Sequence, residues 1–127
     1  MIVSQSPEPE SGKPLQKRGT LIFTGTLGAL RTNSGYGAYG AGRSGVRMLA
    51  QSLAREMSPR GIHVVHTIAN GGIRDETEEK GGEEWEKTQR GERMKAESVG
   101  KTYLWLASQG VDLWTHELDM RPAAEKF

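Results

Sequence analysis

Tyr39 and Arg43 stand four residues apart in the stretch "YGAYGAGRSG", Tyr36 to Gly45. Residues at that spacing share one face of a helix. A cation beside a phenol favours the phenolate and lowers its pKa, which suits a tyrosine to give or take a proton near neutral pH. Tyr36 lacks the arrangement, because Gly40 sits four residues after it. A Tyr/Arg pair is common on helix surfaces, so on its own it reads as structural. What chemistry it does is set by the elements that position it.

Those elements are legible in outline. "GTLIFTG", Gly19 to Gly25, is a short apolar and β-branched run bounded by glycines, the pattern of a buried strand, and the hydroxyl residue Thr26 ends it. A glycine- and serine-rich turn leads to Gly35. From Tyr36 to Met57 the apolar positions Tyr39, Val46, Leu49, Ala50, Leu53 and Met57 form a helical stripe, stopped by Pro59 and Gly61. Each glycine inside that helix costs about 1 kcal/mol relative to alanine. Either the helix packs closely through Gly37, Gly40, Gly42 and Gly45, or it starts late, near Ser44, and the glycines form a loop. "GIHVVHTI", Gly61 to Ile68, is a second strand whose continuous apolar run suits a sheet covered on both faces, and "NGG", Asn70 to Gly72, ends it.

Residues 74–97 are mostly charged, with Trp85 and Met94 as their large apolar members, and read as a solvated helix or a mobile loop. "ESVGKTYLWLASQG" is an amphipathic helix carrying Val99, Tyr103, Leu104, Leu106 and Ala107, and "VDLWTHELDM" is a last strand. Strand, helix, strand, helices, strand implies parallel strands with right-handed crossovers. Residues 1–18 hold three of the five prolines and read as a flexible leader to a domain over 19–127.

Composition narrows the function classes. The chain has 127 residues, 35% of them apolar, and 17 glycines, which suits one domain with a modest core. A net charge of +1 points to neither nucleic acid nor an anionic membrane. The lack of cysteine excludes disulfides, thiolate metal sites and cysteine catalysis. The first residues do not read as a secretory signal and no apolar run reaches the roughly 18 to 20 residues of a membrane span, so a cytoplasmic protein is expected. His63 and His66 point to opposite faces of their strand, which argues against a shared metal. His116 has no evident partner. Trp105 and Trp114 are expected in the core or at a subunit interface.

Taken together, the order of elements resembles the C-terminal half of the short-chain dehydrogenase/reductase family, and "GTLIFTG", "AQSLAREMSPRGIHV" and "WTHELDMRP" look like it in detail. The resemblance runs from about Leu15 to Phe127 and thins across 74–97. It implies half of a Rossmann-like, doubly wound parallel α/β sheet, with about three strands and flanking helices. It also implies an NAD- or NADP-dependent oxidoreductase acting on a small carbonyl or alcohol, with subunits meeting as homo- or hetero-oligomers through the helix over 36–57. Tyr39 falls on the position of the proton donor, and Thr26 on that of a serine that helps hold the substrate. Arg43 stands where the family has lysine and keeps the charge that meets the ribose, although an arginine is bulkier and does not lose its proton. Asn70 replaces a proline, with Gly71 following, and Ile73 matches the residue whose backbone meets the nicotinamide carboxamide. Asp75 falls where a threonine often contacts phosphate, and a carboxylate there repels it. The family's glycine-rich phosphate turn has no counterpart in this sequence. The chain is therefore expected to be a partial one, inactive alone, with an edge strand left uncovered near Gly19 to Thr24. The alternative is a non-catalytic remnant that acts through dimerisation.

Overall fold

This computed structural model describes residues 12–75 and 80–127. Three strands, β1 (Gly19–Thr26), β2 (Ile62–Ala69) and β3 (Glu117–Met120), form one parallel sheet in the order β1-β2-β3. The helices are α1 (Gly37–Met57), α2 (Glu83–Gln89) and α3 (Ala96–Ser108), with single 3-10 turns at Leu27–Ala29 and Ser58–Arg60. This is the Rossmann-like α/β architecture that the resemblance implies. Among the described residues no helix is long and apolar enough to cross a membrane.

The central strand β2 carries the core. Its apolar run places Val64, Val65 and Ile68 out of solvent, where they join Ala50 of α1 and Leu106 of α3. The two long helices cover opposite faces. On the α3 face the Tyr103 hydroxyl bonds the Thr24 hydroxyl of β1 at 2.6 Å and the Thr67 hydroxyl of β2 at 2.9 Å. On the α1 face Arg47 grips Glu117 of β3 with two hydrogen bonds of 2.8 and 2.9 Å, and Glu117 in turn meets Nδ1 of the buried His66 at 3.1 Å. Period-two alternation thus sends His63 and His66 to opposite faces. His63 stacks on Trp114, with centroids 5.0 Å apart and planes 12° apart, and its Nε2 lies 2.7 Å from the Thr115 carbonyl.

The glycine-rich stretch is helix from Gly37 onward, so the loop alternative is set aside. Gly40 is where the absence of a side chain is needed. A Cβ there would lie 3.0 Å from Thr32, so the chain leaving β1 lies directly on the helix. Gly37, Gly42 and Gly45 face open space instead.

Several expectations need adjusting. The last strand spans Glu117–Met120 alone, because Val111 and Asp112 turn and Trp114 leaves the ladder to stack on His63. Leu49 is 49% exposed and so stands off the packed face of α1, whose buried residues are Gly40 and Ala50. Trp105 is 52% exposed and lies outside the core. His116 does have a partner, since its Nδ1 lies 2.9 Å from the Val64 carbonyl. Within 74–97 the sequence forms α2, and Arg74, Lys80 and Lys95 stand 5.3, 5.5 and 4.7 Å from the Trp85 ring centre. The proline-rich start of the expected leader, residues 1–11, and the acidic residues 76–79 lie outside the described residues. The end of that leader is anchored. Arg18 donates its amide to the Gly61 carbonyl at 2.7 Å, and Lys17 Nζ donates to the Gln109 carbonyl at 2.7 Å just past the end of α3. A cation on the last carbonyls of a helix is a favourable C-terminal cap. β1 is an edge of the sheet, as the sequence implied.

Candidate active site at the carboxyl end of the sheet

β1 ends at Thr26, and α1 begins at Gly37 and runs back along the sheet, so the strand's last residue and the helix's first turn meet at one end of the molecule. There the Thr26 and Tyr39 hydroxyls lie 2.6 Å apart. Thr26 also accepts the Gly28 amide at 3.3 Å, which caps the 3-10 turn and fixes its side chain. The Tyr39 ring rests on Gly28, where a Cβ would approach its Cε1 to 2.6 Å. Tyr36 meets the same ring edge-on, with centroids 6.3 Å apart. Tyr39 remains 46% exposed, so its hydroxyl is reachable from solvent.

The spacing that put Tyr39 and Arg43 on one face holds, with a particular outcome. The Arg43 guanidinium carbon sits 5.4 Å from the Tyr39 ring centre, over the face of the ring. A cation there is attracted by the ring's quadrupole.

The second strand brings its end to the same place. Thr26 pairs with Ala69, so Asn70 lies one residue beyond the tip of β1. Asn70 donates its backbone amide to Met120 at 2.8 Å and is 2% exposed, while its side-chain nitrogen has no hydrogen-bond partner. A buried donor without an acceptor is costly unless something else supplies one. Gly71 follows at φ +132, a backbone state reserved for glycine. A Cβ on it would come within 2.7 Å of Pro122 and 3.0 Å of the Glu125 carboxylate. Ile73 is 42% exposed and forms an isolated parallel bridge with Met94, through bonds made by its neighbours Gly72 and Arg74. Thr26, Tyr39 and Arg43 therefore form one cluster, and Asn70, Gly71 and Ile73 form the adjoining turn at the end of the next strand.

Sequence reasoning did not single out three further groups. Arg31 lines the small cavity that holds Tyr39, from a turn with no periodic pattern to betray it. Glu125 reaches the Gly71 turn from the C-terminal tail. Arg47 and Glu117 brace the α1 face below the site. Their paired hydrogen bonds hold the Glu117 carboxyl below the usual carboxylate range and raise the Arg47 guanidinium above its own.

Chemically, two hydroxyls in contact at an open strand end can hold a substrate oxygen and pass it a proton. Arg43 lies over the Tyr39 ring beside that point, and Asn70 follows the residue that pairs with Thr26.

A family model described as enoyl-(acyl carrier protein) reductase matches residues 9–117. Among solved structures, a short-chain dehydrogenase from Rhodopseudomonas palustris is 28% identical, with 95% of this chain and 41% of that one covered at a TM-score of 0.59. A short-chain dehydrogenase from Burkholderia cenocepacia in complex with NADP is 22% identical, with 84% and 46% covered at a TM-score of 0.61. A closed form of serine dehydrogenase complexed with NADP+ is 17% identical, with 99% and 48% covered at a TM-score of 0.67. No curated protein matches. The chain thus spans less than half the length of each of these three structures. With strand order, helix placement and family model in agreement over most of its length, this chain belongs to the short-chain dehydrogenase/reductase family.

Proposed function

We propose that the cluster of Thr26, Tyr39 and Arg43 is the reaction centre of NAD(P)-dependent hydride transfer between a nicotinamide and a small carbonyl or alcohol. The observation that carries this reading is the 2.6 Å contact between the Thr26 and Tyr39 hydroxyls at the open end of β1. The nicotinamide supplies or accepts the hydride; the chain's residues handle the oxygen and its proton. Thr26 donates to the substrate oxygen and orients it. Tyr39 gives that oxygen its proton on reduction and takes it back on oxidation. Arg43 stays charged, so it fixes the Tyr39 ring and offers its fork to ribose hydroxyls without carrying the proton. The proton leaves Tyr39 through solvent, to which the residue is half open.

Whether these residues suit the cofactor is tested by Asn70. Its buried, unpartnered amide nitrogen needs an acceptor at this point, and the carboxamide oxygen of nicotinamide is one. The backbone of Gly71 and Ile73 continues the same wall. The nicotinamide and ribose end therefore fits. The phosphate end finds the carboxylate of Asp75 close by in sequence, which disfavours it.

The reading is tested with reduced nicotinamide mononucleotide, which carries only the fitting end, alongside NADH and NADPH, in a fluorescence titration. Binding of the mononucleotide is expected, weakened about tenfold by Asn70→Ala. Where turnover is measurable, Tyr39→Phe is expected to lower it by about 10²- to 10⁴-fold while leaving binding in place. No binding of any of the three nucleotides overturns the proposal and leaves a non-catalytic role through self-association. That association is proposed along α1, whose Gly42 and Gly45 leave room for a second helix.

A further inference from the structure

The cavity that holds Tyr39 has a volume of about 160 Å³ and is walled by Leu27, Gly28, Arg31, Thr32, Asn33 and the two tyrosines. Its charge is one-sided. Among the described residues Arg31 is the only charged side chain in the wall, and no carboxylate lines it. Arg31 makes no ion pair among the described residues. The turn that carries it is held by its backbone. Leu30 and Arg31 both donate to the Leu27 carbonyl, at 2.9 and 3.2 Å, and Tyr36 donates to Asn33 at 3.0 Å. The Thr32 hydroxyl adds a bond to the Tyr36 carbonyl at 3.0 Å. Arg31 is therefore held at the cavity by a fixed turn, and no carboxylate among the described residues pairs with it.

A guanidinium presents a planar fork of donors that fits a carboxylate bidentately. The cavity's volume equals the share of about five waters in the liquid. That is well under the roughly 300 Å³ at which ordinary ligand pockets begin, so the space between Arg31 and Tyr39 suits a short chain. Tyr39 lines the cavity from α1 and Arg31 from the segment leaving β1, and the Tyr39 hydroxyl meets that of Thr26 at 2.6 Å.

We propose that this cavity takes the substrate of the reaction centre, and that the substrate is a short hydroxy or oxo acid. Its carboxylate is held by Arg31 while its hydroxyl or carbonyl oxygen meets Tyr39 and Thr26. The role of the two hydroxyls rests on the hydride-transfer proposal; recognition of the carboxylate does not need a cofactor.

The test compares each acid with the amide of the same shape. The chain is titrated calorimetrically with lactate and lactamide, and with 3-hydroxybutyrate and 3-hydroxybutyramide, without nucleotide. At least one acid is expected to bind about tenfold tighter than its amide. Arg31→Leu is expected to erase that preference and Arg31→Lys to keep part of it. Arg31 is exposed, so both variants should fold, which circular dichroism checks. Equal affinity for acid and amide, binding of neither, or a preference that survives Arg31→Leu each overturns the inference. Because nucleotide is absent, this result and the mononucleotide titration can fail separately. Carboxylate preference without nucleotide binding would refute hydride transfer alone, and nucleotide binding without the preference would refute the acid substrate alone.

Discussion

At the residue scale, Gly25 and Gly28 show how closely the site is packed from beneath and from above. A Cβ on Gly25 would lie 2.6 Å from Nε2 of His66, which is buried at 0% exposure. Gly25→Ala is therefore expected to destabilise the fold by about 1–3 kcal/mol, as overpacking does, read from the urea midpoint. A Cβ on Gly28 would press on the Tyr39 ring at 2.6 Å. The tyrosine is half exposed and can swing away, so Gly28→Ala should change the unfolding free energy by no more than about 1 kcal/mol while breaking the Thr26–Tyr39 contact. Its mark is expected in the lactate and mononucleotide titrations instead. Tyr39 and Arg43 were legible in the sequence because helical spacing assigns residues to a face. That the cation covers the ring rather than the hydroxyl was not legible, since spacing does not choose among a side chain's atoms. Arg31 escaped for a different reason. It lies in an aperiodic turn, and only folding shows which cavity that turn borders.

At the element scale, α1 carries two kinds of glycine. Gly40 is buried against Thr32, whereas Gly42 and Gly45 have nothing within 4 Å of a built Cβ. Alanine at either open position should stabilise the isolated helix by about 0.5–1 kcal/mol. If two copies meet along α1, the same methyl groups block the close approach. Gly42→Ala and Gly45→Ala are thus expected to raise the thermal midpoint of the monomer and weaken self-association, measured together by calorimetry and sedimentation. A raised midpoint with association unchanged would move the interface elsewhere. β1 and β2 were legible as strands because each is a bounded apolar run. β3 was overextended because "VDLWTHELDM" has the right composition, while Trp114 pairs with a histidine 51 residues earlier, in the central strand. No local pattern encodes that contact.

At the scale of the whole molecule, acid is expected to act in two steps. Burial, above all, holds the His63 imidazole below its ordinary value of 6.5, so the unfolded chain takes up the proton first. The associated stability is complete above 6.5 and is lost as pH falls from there to the lowered folded value. The Glu117 carboxyl, held below 4.5 chiefly by its hydrogen bond to Arg47, adds a second loss as pH falls through its own folded value. His63→Phe, which keeps a ring against Trp114, should remove the upper step from a plot of thermal midpoint against pH, and Arg47→Met should shrink the lower one. Among the described residues β1 is an edge of the sheet, and its Leu21 is 42% exposed. Leu21→Lys is expected to reduce light scattering at high protein concentration with little change in midpoint. The attachment of α3 sets the order in which the molecule comes apart. That helix leaves Leu104 at 71% and Trp105 at 52% exposure, buries Leu106 fully, and is fastened by the Tyr103 hydroxyl between two threonines and by Lys17 at its last carbonyls. Polar fastenings of this kind exchange readily with water and contribute little solvent-excluded surface. Deuterium should therefore enter the α3 amides well before those of β2, and Tyr103→Phe should speed that entry while β2 remains protected.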